Sequence, residues 1–197
     1  MHPYQIEAEV RSKIFIIAVL FSIMAARLLH LLIEYIPFSI PWWVETPSVL
    51  GFFGLFVLAF DRSFWKTKFI QSIDWLYIPN LNGIWETEIL SSYKNFDELL
   101  TARVNVRQSA SQISISLETE ESISYSVSAI LMKTDKLHQF ELTYNYINKP
   151  KADSISTMNM HQGTVWLQIS SDCKKLDGEY YSGRGRQNFG RLVLKRL

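Results

Sequence analysis

Gly83-Ile-Trp-Glu-Thr-Glu-Ile-Leu90 is the stretch on which the fold turns. Trp85, Thr87 and Ile89 fall on one face and Glu86 and Glu88 on the other, the period-two pattern of a strand with one buried side. The same alternation recurs in Ile113-Ser-Ile-Ser-Leu117 and beyond, predicting strands at 83–90, 101–108, 113–117, 123–132, 138–147, 158–169, 175–182 and 189–196. Turn residues separate several of them, among them Asp135, Asn148-Lys-Pro150, Ser171-Asp172 and Ser182-Gly-Arg-Gly185. No helix-period stretch interrupts the run after Pro79. Short consecutive strands without crossover helices make an antiparallel meander. The expected fold of residues 79–197 is therefore an all-β, eight-stranded up-and-down barrel of the lipocalin-like kind.

Closure can be read from the two ends of this domain. In the last strand Leu192, Leu194 and Arg196 share one face. Antiparallel pairing of the first and last strands brings Trp85 beside Arg196 on the inside, where guanidinium stacks on indole and plugs the floor. Gly83, Trp85 and Arg196 are accordingly assigned to closure, not to chemistry. Interior candidates are Tyr125, Val127, Phe140, Leu142, Tyr144 and Tyr146. So many large side chains nearly fill a small barrel and leave a shallow site at its mouth. The Ser-rich run 109–128 is read as outward positions.

Ahead of this domain stand two apolar segments. Residues 14–36 are apolar apart from Ser22, Arg27, His30 and Glu34, and residues 42–60 apart from Glu45, Thr46 and Ser48. A helix crossing a bilayer needs about 20 apolar residues, so 14–60 is read as a hairpin of two transmembrane helices, the first ended by Pro37. The second is short if Pro47 marks its first turn, unless it continues past Asp61 and Arg62. Arg11 and Lys13 precede the first span, Arg62, Lys66 and Lys68 follow the second, and the connection holds Trp42 and Trp43 without Lys or Arg. That charge bias puts both termini and the barrel in the cytoplasm. Glu7 and Glu9 before the apolar run argue against a signal peptide. Residues 1–13 are read as a cytoplasmic tail and 61–78 as an amphipathic linker helix on the membrane surface. Arg27, His30 and Glu34 make one polar stripe on the first helix, either a membrane oligomer contact or a set of groups near the outer interface.

The net charge of +1 is uninformative, but its distribution is not. Residues 174–197 carry seven Lys/Arg against Asp177 and Glu179, whereas 79–173 carry seven basic and eleven acidic residues. A basic end of this kind either attracts an anionic ligand or pairs with acids on neighbouring strands. Cys173 is alone, so no disulfide framework or cysteine metal site is expected. The four histidines lack metal-ligand spacing, and no phosphate loop or nucleophile elbow occurs. We expect no enzyme, no cofactor and no metal.

The stretch that carries ligand chemistry is Gly178-Glu-Tyr-Tyr-Ser-Gly-Arg-Gly-Arg186. Tyr180 and Tyr181 put a flat ring on each face of their strand. Gly183 and Gly185 allow close backbone approach, and Arg184 and Arg186 offer forked donors suited to phosphate. Aromatic faces stack on bases for roughly 1–3 kcal/mol each. With Tyr144 among the interior rings, Tyr180, Arg184 and Arg186 form the predicted ligand-binding set for a phosphate-bearing nucleotide. No DNA or RNA polymer is expected.

Two predicted spans, the start Ile78-Pro-Asn-Leu-Asn-Gly-Ile-Trp85, the stretch 178–186 and the ending Gly190-Arg-Leu-Val-Leu-Lys-Arg196 together resemble one bacterial family. These are the two-transmembrane, β-strand-rich effectors of cyclic-oligonucleotide-based antiphage signalling. The resemblance implies a cytoplasmic barrel at the inner membrane that binds a cyclic dinucleotide second messenger made by a partner nucleotidyltransferase. It further implies homo-oligomerisation on binding and disruption of the lipid bilayer, leading to cell death or arrest. The residues by themselves also admit a membrane-anchored lipocalin-like binder of an apolar small molecule, or a protein-recruiting adaptor.

Overall fold

The computed structural model describes residues 1–34, 45–134, 139–156, 158–183 and 186–197. The chain divides into two compact units, one of Met1–Glu7 with Pro79–Leu197 and one of Ala8–Ile78. The predicted features at Pro37, Trp42, Trp43, Asp135, His138, Arg184 and Gly185 lie outside the described residues.

Among the described residues, the first unit is a closed barrel of nine strands. They are β1 (His2–Gln5), β2 (Gly83–Ser91), β3 (Leu99–Gln108), β4 (Gln112–Glu118), β5 (Ser122–Lys133), β6 (Phe140–Pro150), β7 (His161–Ile169), β8 (Lys175–Ser182) and β9 (Phe189–Arg196). Strands β2 to β9 form the expected antiparallel meander, and β9 returns to pair with β2. The barrel is thus closed as predicted but with nine strands instead of eight. The addition is β1, at the place read from sequence as a tail. Strands β4 and β5 pair only from Ser116 to Glu118 and from Ile123 to Tyr125. Where they part, His2 and Pro3 pair antiparallel with β4, and Tyr4 and Gln5 pair parallel with β5. A seam of unpaired backbone is thereby covered. Four residues that include a proline are too few for alternation to reveal them.

The floor matches the parity argument. Trp85 and Arg196 are register partners, the guanidinium lies 5.5 Å from the indole centroid, and Trp85 is fully buried. The indole Nε1 donates to the Leu81 carbonyl at 3.0 Å. Arg196 donates to the carbonyls of Asn80 (3.0 Å) and Asn82. Gly83 sits at φ +137°, a conformation that other residues rarely adopt, with the Arg196 side chain against it. Beside it Gln108 accepts from the Leu81 amide at 2.8 Å and donates to the Pro79 carbonyl and the Tyr4 hydroxyl at 3.1 Å each.

Phe140, Leu142, Tyr144 and Tyr146 point inward and are buried, as expected. Strand β5 departs from the reading. A register shift between Ser126 and Ser128 reverses its parity midway. Val127 is consequently exposed, while Ser122 and Ser126 are buried. Serine is tolerated inside because each hydroxyl has a partner. Ser122 meets the Thr119 hydroxyl at 3.2 Å, Ser124 donates to Asn148 at 2.8 Å, and Ser126 lies 2.7 Å from His2 Nε2.

The second unit holds α1 (Ala8–Ile33), α2 (Glu45–Arg62) and the short α3 (Lys68–Gln71). Among the described residues α1 is the helix long and apolar enough to cross a membrane; at 1.5 Å per residue it runs about 39 Å. The small residues Ala18 and Ser22 are its buried positions. Phe15 stacks 6.4 Å from Phe53, and Phe21 lies 5.0 Å from Phe56, so α1 and α2 pack on each other through small residues and rings. The predicted linker helix is instead broken into 3-10 turns at Phe64–Lys66 and Asp74–Leu76 with α3 between them. Gln71 Nε2 donates to the carbonyls of Trp65 (2.7 Å) and Ile78 (3.0 Å), folding this segment back on itself. On α1, His30 Nε2 lies 3.3 Å from Glu34 Oε1, and Arg27 is exposed.

Candidate functional site: the mouth of the barrel

Opposite the packed floor the interior opens into a cavity of about 150 Å³, formed entirely within the barrel unit. Its walls carry the inward positions of most strands near their mouth ends. Three residues of the predicted set, Tyr144, Tyr180 and Arg186, line it together; Arg184 is not among the described residues. Burial pushes the Tyr144 hydroxyl well above its ordinary pKa, with the neighbouring Tyr146 adding to the effect. It stays protonated.

Two glycines explain why the tyrosine rings lie along the wall. A Cβ at Gly163 on β7 would run into the Tyr146 ring from β6, and one at Gly190 on β9 would run into the Tyr180 ring from β8. Each ring therefore lies across the strand beside its own and leaves a face toward the cavity. The hydroxyls are tied down: Tyr146 to Ser182 at 3.1 Å and Tyr180 to Ser91 at 2.7 Å. Burial is the main cause that raises both phenol pKa values, partly offset by these hydrogen bonds.

Arg186 stands at the rim. Its guanidinium lies 4.7 Å from the Tyr93 ring centroid, and it makes no ion pair with a carboxylate among the described residues. In the amide orientation that satisfies both its atoms, Asn188 accepts from Arg186 Nε at 2.9 Å. Three other basic side chains of the C-terminal strands, Lys175, Arg191 and Lys195, are engaged in ion pairs. Arg191 forks onto Asp177 through two 3.0 Å contacts, Lys175 meets the same carboxylate at 2.8 Å, and Lys195 meets Glu88 at 2.7 Å. The Arg191 fork holds the Asp177 carboxyl below the usual carboxylate range. Of the two sequence readings of the basic end, pairing across strands accounts for Arg191 and Lys195, Lys175 pairs within its own strand, and Arg186 lines the mouth.

The sequence reading missed a polar layer of the cavity. Asn148 and His161 both line it and are buried. Asn148 had been assigned to a turn, but β6 continues to Pro150 and places Asn148 between Ser124 of β5 and His161 of β7. His161 Nδ1 lies 2.9 Å from the Asn159 carbonyl, which assigns it the ring proton and leaves Nε2 as an acceptor. Burial lowers the His161 pKa, the hydrogen bond to Asn159 opposes this in part, and the nearby Arg186 charge lowers it further. The imidazole is neutral at neutral pH. No group of three or more His, Cys, Asp or Glu side chains suited to a metal occurs among the described residues.

A closed barrel with a packed floor, tyrosine faces and buried amide and imidazole groups at its mouth, and an arginine at the rim is a small-ligand receptor of the β-barrel class. Residues 76–196 match the family described as Cap15, cyclic dinucleotide receptor domain. That is more than half of the chain, and the chain belongs to this family. CD-NTase-associated protein 15 of Yersinia aleksiciae is 26% identical over 164 residues, covering 83% of this chain and 75% of that protein. The effector family read from the two ends of the barrel is the one found, and the protein is a cyclic dinucleotide-binding effector of that antiphage system.

Proposed function

We propose that the cyclic dinucleotide is held at this mouth, with one base inside the cavity and the phosphates against Arg186. The volume supports such a division. A dry cavity of roughly 150 Å³ takes a benzene-sized group, whereas drug-sized ligands occupy pockets of about 300–1,000 Å³. One ring system fits and the remainder stays at the rim. There the guanidinium offers bidentate donors to a phosphate. The observation that carries the reading is the pair of tyrosine rings laid over Gly163 and Gly190 beside an arginine that has no carboxylate partner among the described residues.

The membrane function extends this reading. Unit Ala8–Ile78 is inserted between β1 and β2, so both of its ends belong to the same barrel. A single crossing by α1 would leave one of those ends on the wrong side of the bilayer. A second crossing is therefore required. The 18-residue α2, about 27 Å long at 1.5 Å per residue, nearly matches a hydrocarbon core of about 30 Å. We assign the protein to the bacterial inner membrane with both termini and the barrel cytoplasmic. Ligand binding shifts an assembly equilibrium through its different affinity for the two states. Arg27, with His30 and Glu34 beside it, supplies polar contacts between clustered helices and opens the bilayer to solutes.

The test is dye release from vesicles of bacterial lipid carrying the full-length protein. Release that requires a cyclic dinucleotide, and that drops in Arg27→Leu with ligand affinity unchanged, is the expected result. Ligand binding without any release would refute the membrane-disrupting role and leave the receptor assignment in place.

A further inference from the structure

Ser124, Asn148 and His161 form one row at the mouth, directly opposite each other across β5, β6 and β7. Asn148 is 3% exposed. Its carbonyl oxygen accepts the Ser124 hydroxyl at 2.8 Å, which anchors the side chain to the neighbouring strand. The Nδ2 group points to Met158 Sδ at 3.2 Å, and a thioether is a weak acceptor. Amide hydrogens buried this deeply ordinarily have strong partners, because leaving one unmet is costly. Both Asn148 and Met158 line the mouth cavity. Next to it, His161 donates through Nδ1 to the Asn159 carbonyl and keeps Nε2 as an acceptor. Neighbouring strands thus present one donor and one acceptor at the same level, beside rings that hold a flat group.

A donor next to an acceptor is what the edge of a nucleobase complements, since each base carries adjoining acceptor and donor atoms in its own order. The arginine at the rim differs in kind. It addresses phosphate, which every cyclic dinucleotide has, and carries no information about the bases.

We propose that Asn148 and His161 read the hydrogen-bonding edge of the base in the cavity and so set which cyclic dinucleotide the receptor prefers. Ser124 is the positioning residue that holds the Asn148 amide in the reading orientation. The proposal rests on the reading that a base enters the mouth cavity.

The experiment titrates the full-length protein in detergent with cyclic di-AMP, cyclic di-GMP, cyclic di-UMP and cyclic UMP-AMP. In the wild type the affinities should differ across this panel. Asn148→Ala and the milder His161→Asn should narrow the spread by about tenfold, the discrimination expected of one good edge contact. Ser124→Ala should narrow it less, whereas Arg186→Ala should weaken the whole panel by a common factor and preserve the ranking. A thermal melt of each variant checks that the barrel remains folded. If Asn148→Ala and His161→Asn stay folded and retain the wild-type spread, the edge-reading role is overturned. If Arg186→Ala bound the panel as tightly as the wild type, the placement of the ligand at the mouth would be overturned instead, a distinguishable outcome.

Discussion

The two ends of this barrel are built from the same kinds of residue and do opposite things. At the floor an arginine lies over a tryptophan, and an amide and an indole are bonded to backbone carbonyls or amides. The guanidinium and the indole there donate to carbonyls of the barrel itself, and the indole is fully buried. At the mouth an arginine lies over a tyrosine, but the cavity is open. The Asn148 amide donates to a sulfur atom, and Tyr144, Tyr146 and Tyr180 line the cavity. Arginine on an aromatic ring is therefore no mark of a binding site. What separates the two ends is whether the polar groups around that pair have already found each other.

Substitutions at the floor should break stability and spare recognition. Trp85→Ala removes a fully buried indole and should cost about 3–5 kcal/mol, measured by denaturant unfolding of the full-length protein in detergent. Whatever fraction remains folded should bind ligand normally. A loss of affinity without a loss of stability would erase the distinction between the ends. A smaller effect of opposite sign is expected one layer above the floor. The Thr87 hydroxyl is buried with no hydrogen-bond partner among the described residues. Thr87→Val keeps the shape and removes the unmet polar group, so it should stabilise the barrel by about 1 kcal/mol. An unchanged or lowered midpoint would mean that this hydroxyl is satisfied in solution.

The floor was legible in the sequence and the mouth was only partly so. Parity alone put Trp85 beside Arg196, because both lie in unbroken strands whose alternation runs from end to end. The other meander strands were legible from their alternation, although in β5 a register shift breaks it. Strand β1 was not, since its pairing partners are the diverging ends of β4 and β5, more than a hundred residues away. It matters in practice: a fragment beginning at Pro79 would lack a barrel strand. At the mouth, Tyr144, Tyr180 and Arg186 stood out by residue type. Ser124, Asn148 and His161 did not, because they come from three strands and meet only through register. The register shift in β5 also splits that strand into two parities, so its buried Ser122 and Ser126 and its buried Ala129 and Leu131 do not follow one alternation. Asn148 was further disguised by the Lys149-Pro150 that follows it, which reads as a turn.

The claim at the centre of this account is that the mouth of the barrel is the receptor site. Calorimetric titration of the full-length protein with cyclic dinucleotides, wild type against Arg186→Ala, tests it most directly. Arg186 is at the surface and its guanidinium is not needed for closure, so the variant should melt like the wild type. It should lose about 1.5–3 kcal/mol of binding free energy, the contribution of a hydrogen bond to a charged group, or roughly 10- to 150-fold in affinity. Saturable binding with the same affinity in both proteins would place the nucleotide elsewhere and contradict the account.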